Sequence, residues 1–269
     1  MATRYLITGA NRGIGRGLTN LILARPNTTV LALVRDPDDE TSKSLASVPR
    51  GSNSILIVLP YDAKDPNDAA ATAITTAQRD HGITHLDVVI ANAGMLGWYG
   101  PAVDTSPEAI HEHITVNTVG PLLLFKACLP LLQRASSSPE EKGAVEDKGP
   151  AKFIAISSAL GSTTLIPQFR PSKTLAYGLS KAALNHTCRK FSVDYPDLVI
   201  EMLTPGPVRT DLTREFTAVF DKALKANPKL ADRFADIDNV VKGLLECIDS
   251  ASKETSGGFR DWKGEVIPW

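Results

Sequence analysis

The chain has 269 residues, which is long enough to enclose one large hydrophobic core. Its 29 lysines and arginines nearly balance its 30 aspartates and glutamates, and the net charge of −1 excludes the basic surface typical of proteins that bind nucleic acid or anionic membranes. No apolar run reaches the length of a membrane span, and the first strand begins almost at once, so we expect neither a membrane anchor nor a signal peptide.

Apolar runs alternate with helix-forming stretches along the chain. The predicted strands cover residues 5–7, 30–34, 55–59, 86–90, 153–156 and 199–203. The later predicted helices cover residues 68–79, 107–118, 121–134 and 175–194. Because the strands are apolar throughout, we expect a parallel sheet that is covered by helices on both faces. The sequence therefore predicts a doubly wound α/β fold of about seven strands, in a single domain.

Two segments depart from this alternation. Residues 136–150, SSSPEEKGAVEDKGP, are polar and lack periodicity. We expect a flexible surface insertion there, and no domain linker, because the sheet resumes after it. Residues 211–235 carry apolar side chains at helical spacing. They form a substrate lid, a helix packed on the body of the protein, or both.

The stretch YLITGANRGIGRGL, residues 5–18, connects the first strand to a helix through a glycine-rich turn. Gly9, Gly13 and Gly15 crowd this turn, with Ile14 between the last two. In this geometry main-chain N–H groups and the N-terminus of the helix face a pyrophosphate. The turn therefore predicts a site for a dinucleotide.

Further motifs follow the later strands in the same order as the alternation. NAG ends the fourth strand at residues 92–94, ISS ends the fifth at 156–158, and PGPVRTD follows the sixth at 205–211. YGLSK, residues 177–181, opens the long helix between the last two of these strands. Open α/β sheets bind their ligands at the carboxyl ends of parallel strands, so these motifs are expected to surround one site.

Taken together, TGANRGIG, NAG, the serines, YGLSK and PG make the chain resemble the short-chain dehydrogenases/reductases over essentially its whole length. More narrowly, HGITHLDVVIANAG and the tail KETSGGFRDWKGEVIPW are similar to fungal norsolorinic acid ketoreductases and to C-factor or sniffer-type carbonyl reductases. The resemblance implies a single-domain Rossmann fold over residues 1–269, a cytoplasmic location and a small-molecule carbonyl substrate. Homodimers and homotetramers are common in the family, and monomers occur among its carbonyl reductases.

The resemblance also implies four catalytic residues. Tyr177 and Lys181 share one face of a helix, and a neighbouring ammonium is expected to lower the pKa of the tyrosine, which suits a general acid for a carbonyl or a base for an alcohol. Ser158 would bond the substrate oxygen and stabilise its developing charge. Ser157 is the alternative, because neighbouring side chains of a strand point to opposite faces, but the family pattern favours Ser158. Asn117 matches the family asparagine that supports a water chain to the lysine.

A set of cofactor-binding residues follows from the same resemblance. Asp62 would bind the adenine amine, and Asn92 would lie near the adenosine ribose. Val208 and Thr210 would meet the nicotinamide carboxamide, while the catalytic tyrosine and lysine would also contact the cofactor. Lys126 is either a basic cofactor-binding residue or a surface lysine whose alkyl stem packs against the protein.

The end of the second strand predicts which dinucleotide is used. Sites for NAD usually place a carboxylate there, whereas sites for NADP place an arginine nearby for the 2′-phosphate. By the family pattern, Val34 occupies the position of the carboxylate and Arg35 that of the arginine, and Arg12 adds a second guanidinium. Asp36 either repels the phosphate or orients Arg35. Two cations against one anion favour NADP(H).

The loop between the serines and the tyrosine, residues 159–176, is longer than the family usually has. Its side chains Leu165, Ile166 and Phe169 either line a wide apolar pocket or make ordinary loop contacts. We expect no metal site, because His111 and His113 diverge on a helix. Three widely spaced cysteines indicate reduced residues of a cytoplasmic protein.

These features predict an NADPH-dependent ketoreductase for apolar or aromatic carbonyl compounds, polyketides included. The alternatives are a broad carbonyl-detoxifying reductase, a secondary-alcohol dehydrogenase, and a nucleotide-sensing binding protein on the same fold. The intact serine, tyrosine and lysine favour an enzyme, because a sensor has no need of a tuned acid.

Overall fold

The structure, a computed structural model, describes residues 2–65, 69–136, 149–170, 172–209, 212 and 234–269. Parallel strands in these ranges form one sheet. The strands are β1 (Thr3–Thr8), β2 (Thr28–Val34), β3 (Ile55–Pro60), β4 (Val88–Ala91), β5 (Lys152–Ile156), β6 (Val199–Thr204) and β7 (Phe259–Asp261). Their order across the sheet is β3-β2-β1-β4-β5-β6-β7. The order reverses between β1 and β4, and crevices at such a point bind ligands in α/β proteins.

Helices cover both faces of the sheet. They are α1 (Gly13–Leu23), α2 (Glu40–Lys43), α3 (Ala69–His81), α4 (Pro107–Ile114), α5 (Gly120–Ser136), α6 (Leu175–Asp194) and α7 (Ile237–Ser250). Buried side chains of α3, α5 and α6 form the core on one face. Those of α1 and α7 form the core on the other face. The predicted doubly wound α/β fold is therefore confirmed.

Most predicted elements lie within a few residues of the observed ones, and two differences bear on the site. The strand β7 was not located from the sequence, because three residues at a sheet edge give too short an apolar run to detect. The two helices predicted over 107–118 and 121–134 are one continuous run. A π-helical turn, Thr115–Val119, joins α4 to α5.

This continuous run, Pro107–Ser136, also corrects an expectation. By length and composition it contains an 18-residue window that is apolar enough to cross a membrane. Half of its most apolar window is buried inside the protein. Leu124 and Phe125 of this helix lie in the core beneath the sheet. We therefore interpret it as a core helix.

Two predicted segments fall largely outside the described residues. These are the surface insertion, of which 137–148 are not described, and the lid, of which 211 and 213–233 are not described. Both stay predictions. Cys128, Cys188 and Cys247 are buried free thiols.

Candidate active site

Steric constraints explain why the three positions of the turn after β1 are occupied by glycine. Gly9 and Gly13 have positive φ angles of 64° and 53°, a conformation that side chains with a Cβ rarely adopt. A Cβ at Gly15 would lie 2.2 Å from the main-chain oxygen of Gly9 and 2.5 Å from Nδ2 of Asn92. The turn therefore places the main chain of Gly9 in close contact with Gly15 at the start of α1, where a larger residue than glycine would not fit.

Asn92 braces this turn from the end of β4. Its side-chain Nδ2 donates to the main-chain oxygen of Thr8 at 2.9 Å. In return, Oγ1 of Thr8 accepts hydrogen bonds from the main-chain N–H groups of Asn92 and Ala93, at 3.0 and 2.9 Å. Sequence reasoning missed Thr8, whose hydroxyl holds the ends of two neighbouring strands together.

A cleft opens along the carboxyl ends of the strands. Of the predicted cofactor residues, it is lined by Gly9, Arg12, Gly13, Ile14, Arg35, Asp62, Asn92, Tyr177 and Lys181. Gly15 lies just behind this wall, where it is buried. The cleft thus brings the glycine turn and the pair Tyr177 and Lys181 to one site.

Acidic residues stand beside the two arginines of the cleft. Asp36 accepts a hydrogen bond from the main-chain N–H of Asp38 at 2.8 Å, so its carboxylate serves its own turn. Asp39, which the sequence analysis did not single out, lines the cleft. Its carboxylate accepts bonds from the N–H of Ser42 and the hydroxyl of Thr41, both at 2.7 Å. These bonds hold the pKa of Asp39 below its ordinary value.

Tyr177 and Lys181 lie in the first turns of α6 and are both buried. Nζ of Lys181 donates to the main-chain oxygen of Ile156 at 2.9 Å, at the end of β5. The same Nζ lies 5.7 Å from the centre of the Tyr177 ring. The side chain of Ser158 is close enough to the phenol to lower its pKa. Tyr177, Lys181 and Ser158 thus meet at the end of β5.

Burial shifts both ionisable groups toward their neutral forms. It raises the pKa of Tyr177 to about 12, and the bond from Ser158 offsets only part of this shift. It lowers the pKa of Lys181 to about 8. The expectation that Lys181 lowers the pKa of Tyr177 is wrong for this geometry. The ammonium binds the oxygen of Ile156, and loss of hydration dominates the phenol.

The two adjacent serines have different partners. Ser157 is buried, and its Oγ donates to Oδ1 of Asn185 on α6 at 2.5 Å. Ser158 is half-buried and lowers the pKa of the Tyr177 phenol. Its Oγ also accepts from the N–H of Leu160 at 3.2 Å. Ser157 is the serine that lines the cleft, while Ser158 is the one that acts on the pKa of the phenol.

Asn117 lies in the π-helical turn and is fully buried. Its Oδ1 accepts from the main-chain N–H of Met95 at 2.8 Å, and its Nδ2 donates to the oxygen of Met95 at 3.0 Å. Nδ2 also donates to Oγ of Ser180 at 2.9 Å. The amide therefore connects the segment after β4 to α6, one residue before Lys181. No local motif pointed to Met95 or Ser180 as partners of Asn117.

Several predicted residues are not brought to the cleft. Lys126 is exposed on α5 and is absent from the cleft lining, which agrees with a surface lysine. Val208 is buried in the core that also holds α1 and α7. Thr210 lies outside the described residues. In the long loop, Ile166 is 61% exposed and does not line the cleft. Of the two alternatives for this loop, the position of Ile166 favours ordinary loop contacts and not the lining of an apolar pocket.

Metal binding receives no support from the described ranges. No cluster of three or more histidine, cysteine, aspartate or glutamate residues that could hold an ion occurs in them. His111 is exposed while His113 is fully buried, as expected for two residues that diverge on a helix.

A glycine-rich turn at the switch point of a parallel sheet, opposite a buried tyrosine and lysine, defines a dinucleotide-binding α/β oxidoreductase. The family model for short chain dehydrogenases matches residues 3–219. The chain belongs to this family, whose members bind a nicotinamide cofactor and act on small molecules.

Its curated relatives include fungal ketoreductases. It is 36% identical to the norsolorinic acid ketoreductase nor1 of Dothistroma septosporum, over 99% of this chain and 92% of the relative. It is 37% identical to the short chain dehydrogenase gsfK of Penicillium aethiopicum, over the full length of both. These matches confirm the narrower resemblance to ketoreductases that the sequence motifs indicated.

Solved structures of carbonyl reductases share the fold. The NADPH-bound carbonyl reductase from chicken fatty liver superimposes with a TM-score of 0.81 at 28% identity, covering 100% of this chain and 99% of that one. The carbonyl reductase Sniffer of Drosophila melanogaster gives a TM-score of 0.80 at 26% identity, covering both chains fully.

Proposed function

We propose that this protein is an NADPH-dependent ketoreductase that converts an apolar or aromatic ketone, polyketides included, into a secondary alcohol. The observation that carries the proposal is the buried phenol of Tyr177, which lines the cleft together with Lys181 and lies near Ser158. The ketoreductase and carbonyl reductase relatives support the choice of a carbonyl substrate.

Tyr177 acts as the proton donor in this reaction. A pKa of about 12 keeps the phenol protonated at neutral pH, so a proton is available as negative charge develops on the substrate oxygen. The hydroxyl of Ser158 bonds the same oxygen and stabilises that charge. Lys181 stays beside the phenol through its bond to Ile156 and supplies positive charge when protonated. Asn117 acts through the main chain that it holds.

The glycine turn fits the pyrophosphate of a nicotinamide dinucleotide. Positive φ at Gly9 and Gly13 and the absence of room for a Cβ at Gly15 leave main-chain N–H groups as the lining of that wall. Asp62 and Asn92 are the proposed contacts of the adenosine half, Val208 and Thr210 are those of the nicotinamide carboxamide, and Lys126 is assigned as a surface lysine. The nicotinamide, when bound, supplies the hydride.

Arg12 and Arg35 support the choice of NADP(H). Both line the cleft and are exposed there, as a 2′-phosphate would require. The nearby carboxylates of Asp36 and Asp39 accept main-chain hydrogen bonds, which partly satisfies their charge. A neighbour with 28% identity is bound to NADPH, while a more distant neighbour is bound to NAD.

The proposal also covers the setting of the reaction. A cytoplasmic location is supported by the three free buried thiols, because oxidising compartments favour disulfides. The substrate is a small molecule, and neither a membrane nor a nucleic acid takes part. A homodimer or homotetramer stays a prediction from the family.

A spectroscopic assay tests the proposed function. The purified protein is mixed with NADPH and ketones that range from small aliphatic to multi-ring aromatic compounds, and the absorbance of the reduced nicotinamide is followed. We expect turnover, with the highest kcat/KM for bulky aromatic ketones. Binding of NADPH without turnover of any ketone would favour a nucleotide sensor. A strong preference for acetone-sized ketones would overturn the apolar substrate class.

A further inference from the structure

His113 is a buried imidazole that the proposed reaction does not use. It lies in the last turn of α4 and has no exposed surface. Its Nδ1 is 2.6 Å from the main-chain oxygen of Ala109, and its Nε2 is 3.1 Å from the main-chain nitrogen of Gly97. A carbonyl oxygen only accepts and an N–H only donates. These partners therefore assign a neutral ring with its proton on Nδ1 and an acceptor at Nε2.

The bond to Gly97 fixes one end of a short segment that follows β4. Asn117, four residues after His113, holds the other end through both main-chain groups of Met95. His113 and Asn117 thus anchor residues 95–97 from a single helical run. Met95 lines the cleft directly.

The chain on either side of residues 95–97 lies close to α6, the helix that carries Tyr177 and Lys181. A Cβ built on Gly94 would lie 3.1 Å from Oδ1 of Asn117 and 3.6 Å from Nζ of Lys181. Farther along, the N–H of Gly100 donates to the main-chain oxygen of Lys173 at 2.9 Å, just before α6. Movement of the segment would therefore reshape the wall next to Lys181.

We propose that His113 is a positioning residue that fixes the wall formed by residues 95–97, so that a ketone is held correctly against the phenol of Tyr177. It acts through the main chain of Gly97 and does not touch the substrate. This inference rests on the proposed function, because the wall matters for kinetics only if a ketone is turned over.

Substitutions at His113 separate the hydrogen bond from the volume of the ring. His113→Leu keeps an apolar side chain of similar bulk but leaves the N–H of Gly97 unpaired, whereas His113→Gln can return an acceptor oxygen to the position of Nε2. His111→Leu, on the exposed face of the same helix, is the matched control.

Steady-state kinetics are the first readout. We expect His113→Leu to raise the KM for the ketone roughly tenfold, the size expected for one lost hydrogen bond, with the affinity for NADPH unchanged. His113→Gln is expected to restore most of the loss, and His111→Leu to have no effect. Wild-type KM in His113→Leu, or an equal defect in His113→Leu and His113→Gln, would overturn the role of the acceptor.

The same bond is removed from the other side by Gly97→Pro, with Gly97→Ala as the control that keeps the N–H. This pair leaves His113 in place, so it decides the question if His113→Leu does not fold. Both variants carry a Cβ, which would lie 2.6 Å from Cε of Met95, so we expect a KM that is several-fold higher in Gly97→Pro than in Gly97→Ala. Equal KM values for the proline and alanine variants would overturn the proposal.

Hydrogen exchange gives a readout that needs no activity. Amides of residues 95–100 are expected to exchange faster in His113→Leu than in wild type or His111→Leu, while the core strands stay protected. Unchanged exchange would overturn the role of His113. If wild type turned over no ketone, the proposed function would fail, but faster exchange in His113→Leu would still support the anchoring of the segment.

Discussion

Oγ of Ser157 donates a hydrogen bond to Oδ1 of Asn185 on α6 across 2.5 Å, although Ser157 also lines the cleft beside Tyr177. Nδ2 of Asn185 has no hydrogen-bond partner among the described residues, so this bond is the main polar contact of that amide. The neighbouring Ser158 instead lowers the pKa of the Tyr177 phenol. We therefore expect the two serines to have different roles, Ser157 in the hydrogen bond to Asn185 and Ser158 at the reacting oxygen.

This division predicts opposite outcomes for two alanine substitutions. Ser158→Ala is expected to lower kcat by ~10²–10³-fold, the usual effect of removing one donor from a developing oxyanion. Ser157→Ala leaves the amide of Asn185 unpaired and is expected to lower the free energy of unfolding by about 1–3 kcal/mol, with a small change in kcat. Urea denaturation and steady-state rates measure the two effects. A larger loss of kcat in Ser157→Ala would reverse the assignment.

Removal of the phenolic proton tests Tyr177. Tyr177→Phe keeps the ring, so we expect kcat to fall by ~10²–10⁴-fold, the range for a lost general acid. The Kd for NADPH is expected to stay within about threefold of wild type. The substitution removes at most one hydrogen bond between the tyrosine hydroxyl and the cofactor, and the charged contacts to the phosphates are stronger. Fluorescence titration and stopped-flow rates provide the comparison. Near-normal turnover would remove Tyr177 from the mechanism.

Burial of Lys181 predicts a pH-dependent stability. Its pKa falls from 10.5 to about 8 on folding. Below pH 8 the ammonium is charged in both states and its burial destabilises the fold in full. As pH rises from about 8 toward 10.5, the folded state loses the proton while the unfolded state keeps it, so wild-type stability increases relative to a variant without the amine.

Lys181→Met exposes this contribution. We expect the variant's advantage over wild type, on the order of 2 kcal/mol from the shift, to shrink as pH is raised from 7 to 9.5. Denaturation with guanidinium at several pH values measures the difference. Lys126→Met, at an exposed lysine of α5, is the control and should give a difference that does not vary with pH. A flat difference for Lys181→Met would show that the amine is solvated.

Arg35 is expected to set the preference for the cofactor. Wild type should use NADPH roughly tenfold or more better than NADH in kcat/KM, because a guanidinium bonds two phosphate oxygens at once. Arg35→Ala should reduce this ratio by weakening the use of NADPH alone. Lys126→Ala, outside the cleft lining, should leave the ratio unchanged. Equal use of both cofactors by wild type would contradict the choice of NADP(H).

Features that depend on neighbours along the chain could be predicted from residue types and spacing. Positive φ at Gly9 and Gly13 is a local demand of the turn, and the helical repeat alone places Tyr177 and Lys181 on one face. Continuous apolar runs likewise predict strands that are buried on both faces, and the observed sheet agrees. Residue types and their spacing set this short-range geometry, so it could be predicted.

The hydrogen-bond partners of the buried side chains, and the pKa shifts of the ionisable groups, depend on how distant segments pack together. Ser157 is hydrogen-bonded to an asparagine 28 positions away, and His113 on α4 accepts a hydrogen bond from Gly97 in the segment after β4. The short strand β7 is held by Arg260, which pairs with the fully buried carboxylate of Glu201 on β6. The pKa of Tyr177 moves upward, against expectation, because desolvation depends on everything packed around the phenol. Burial is the sum of contacts from distant segments, and no local pattern of residues encodes it.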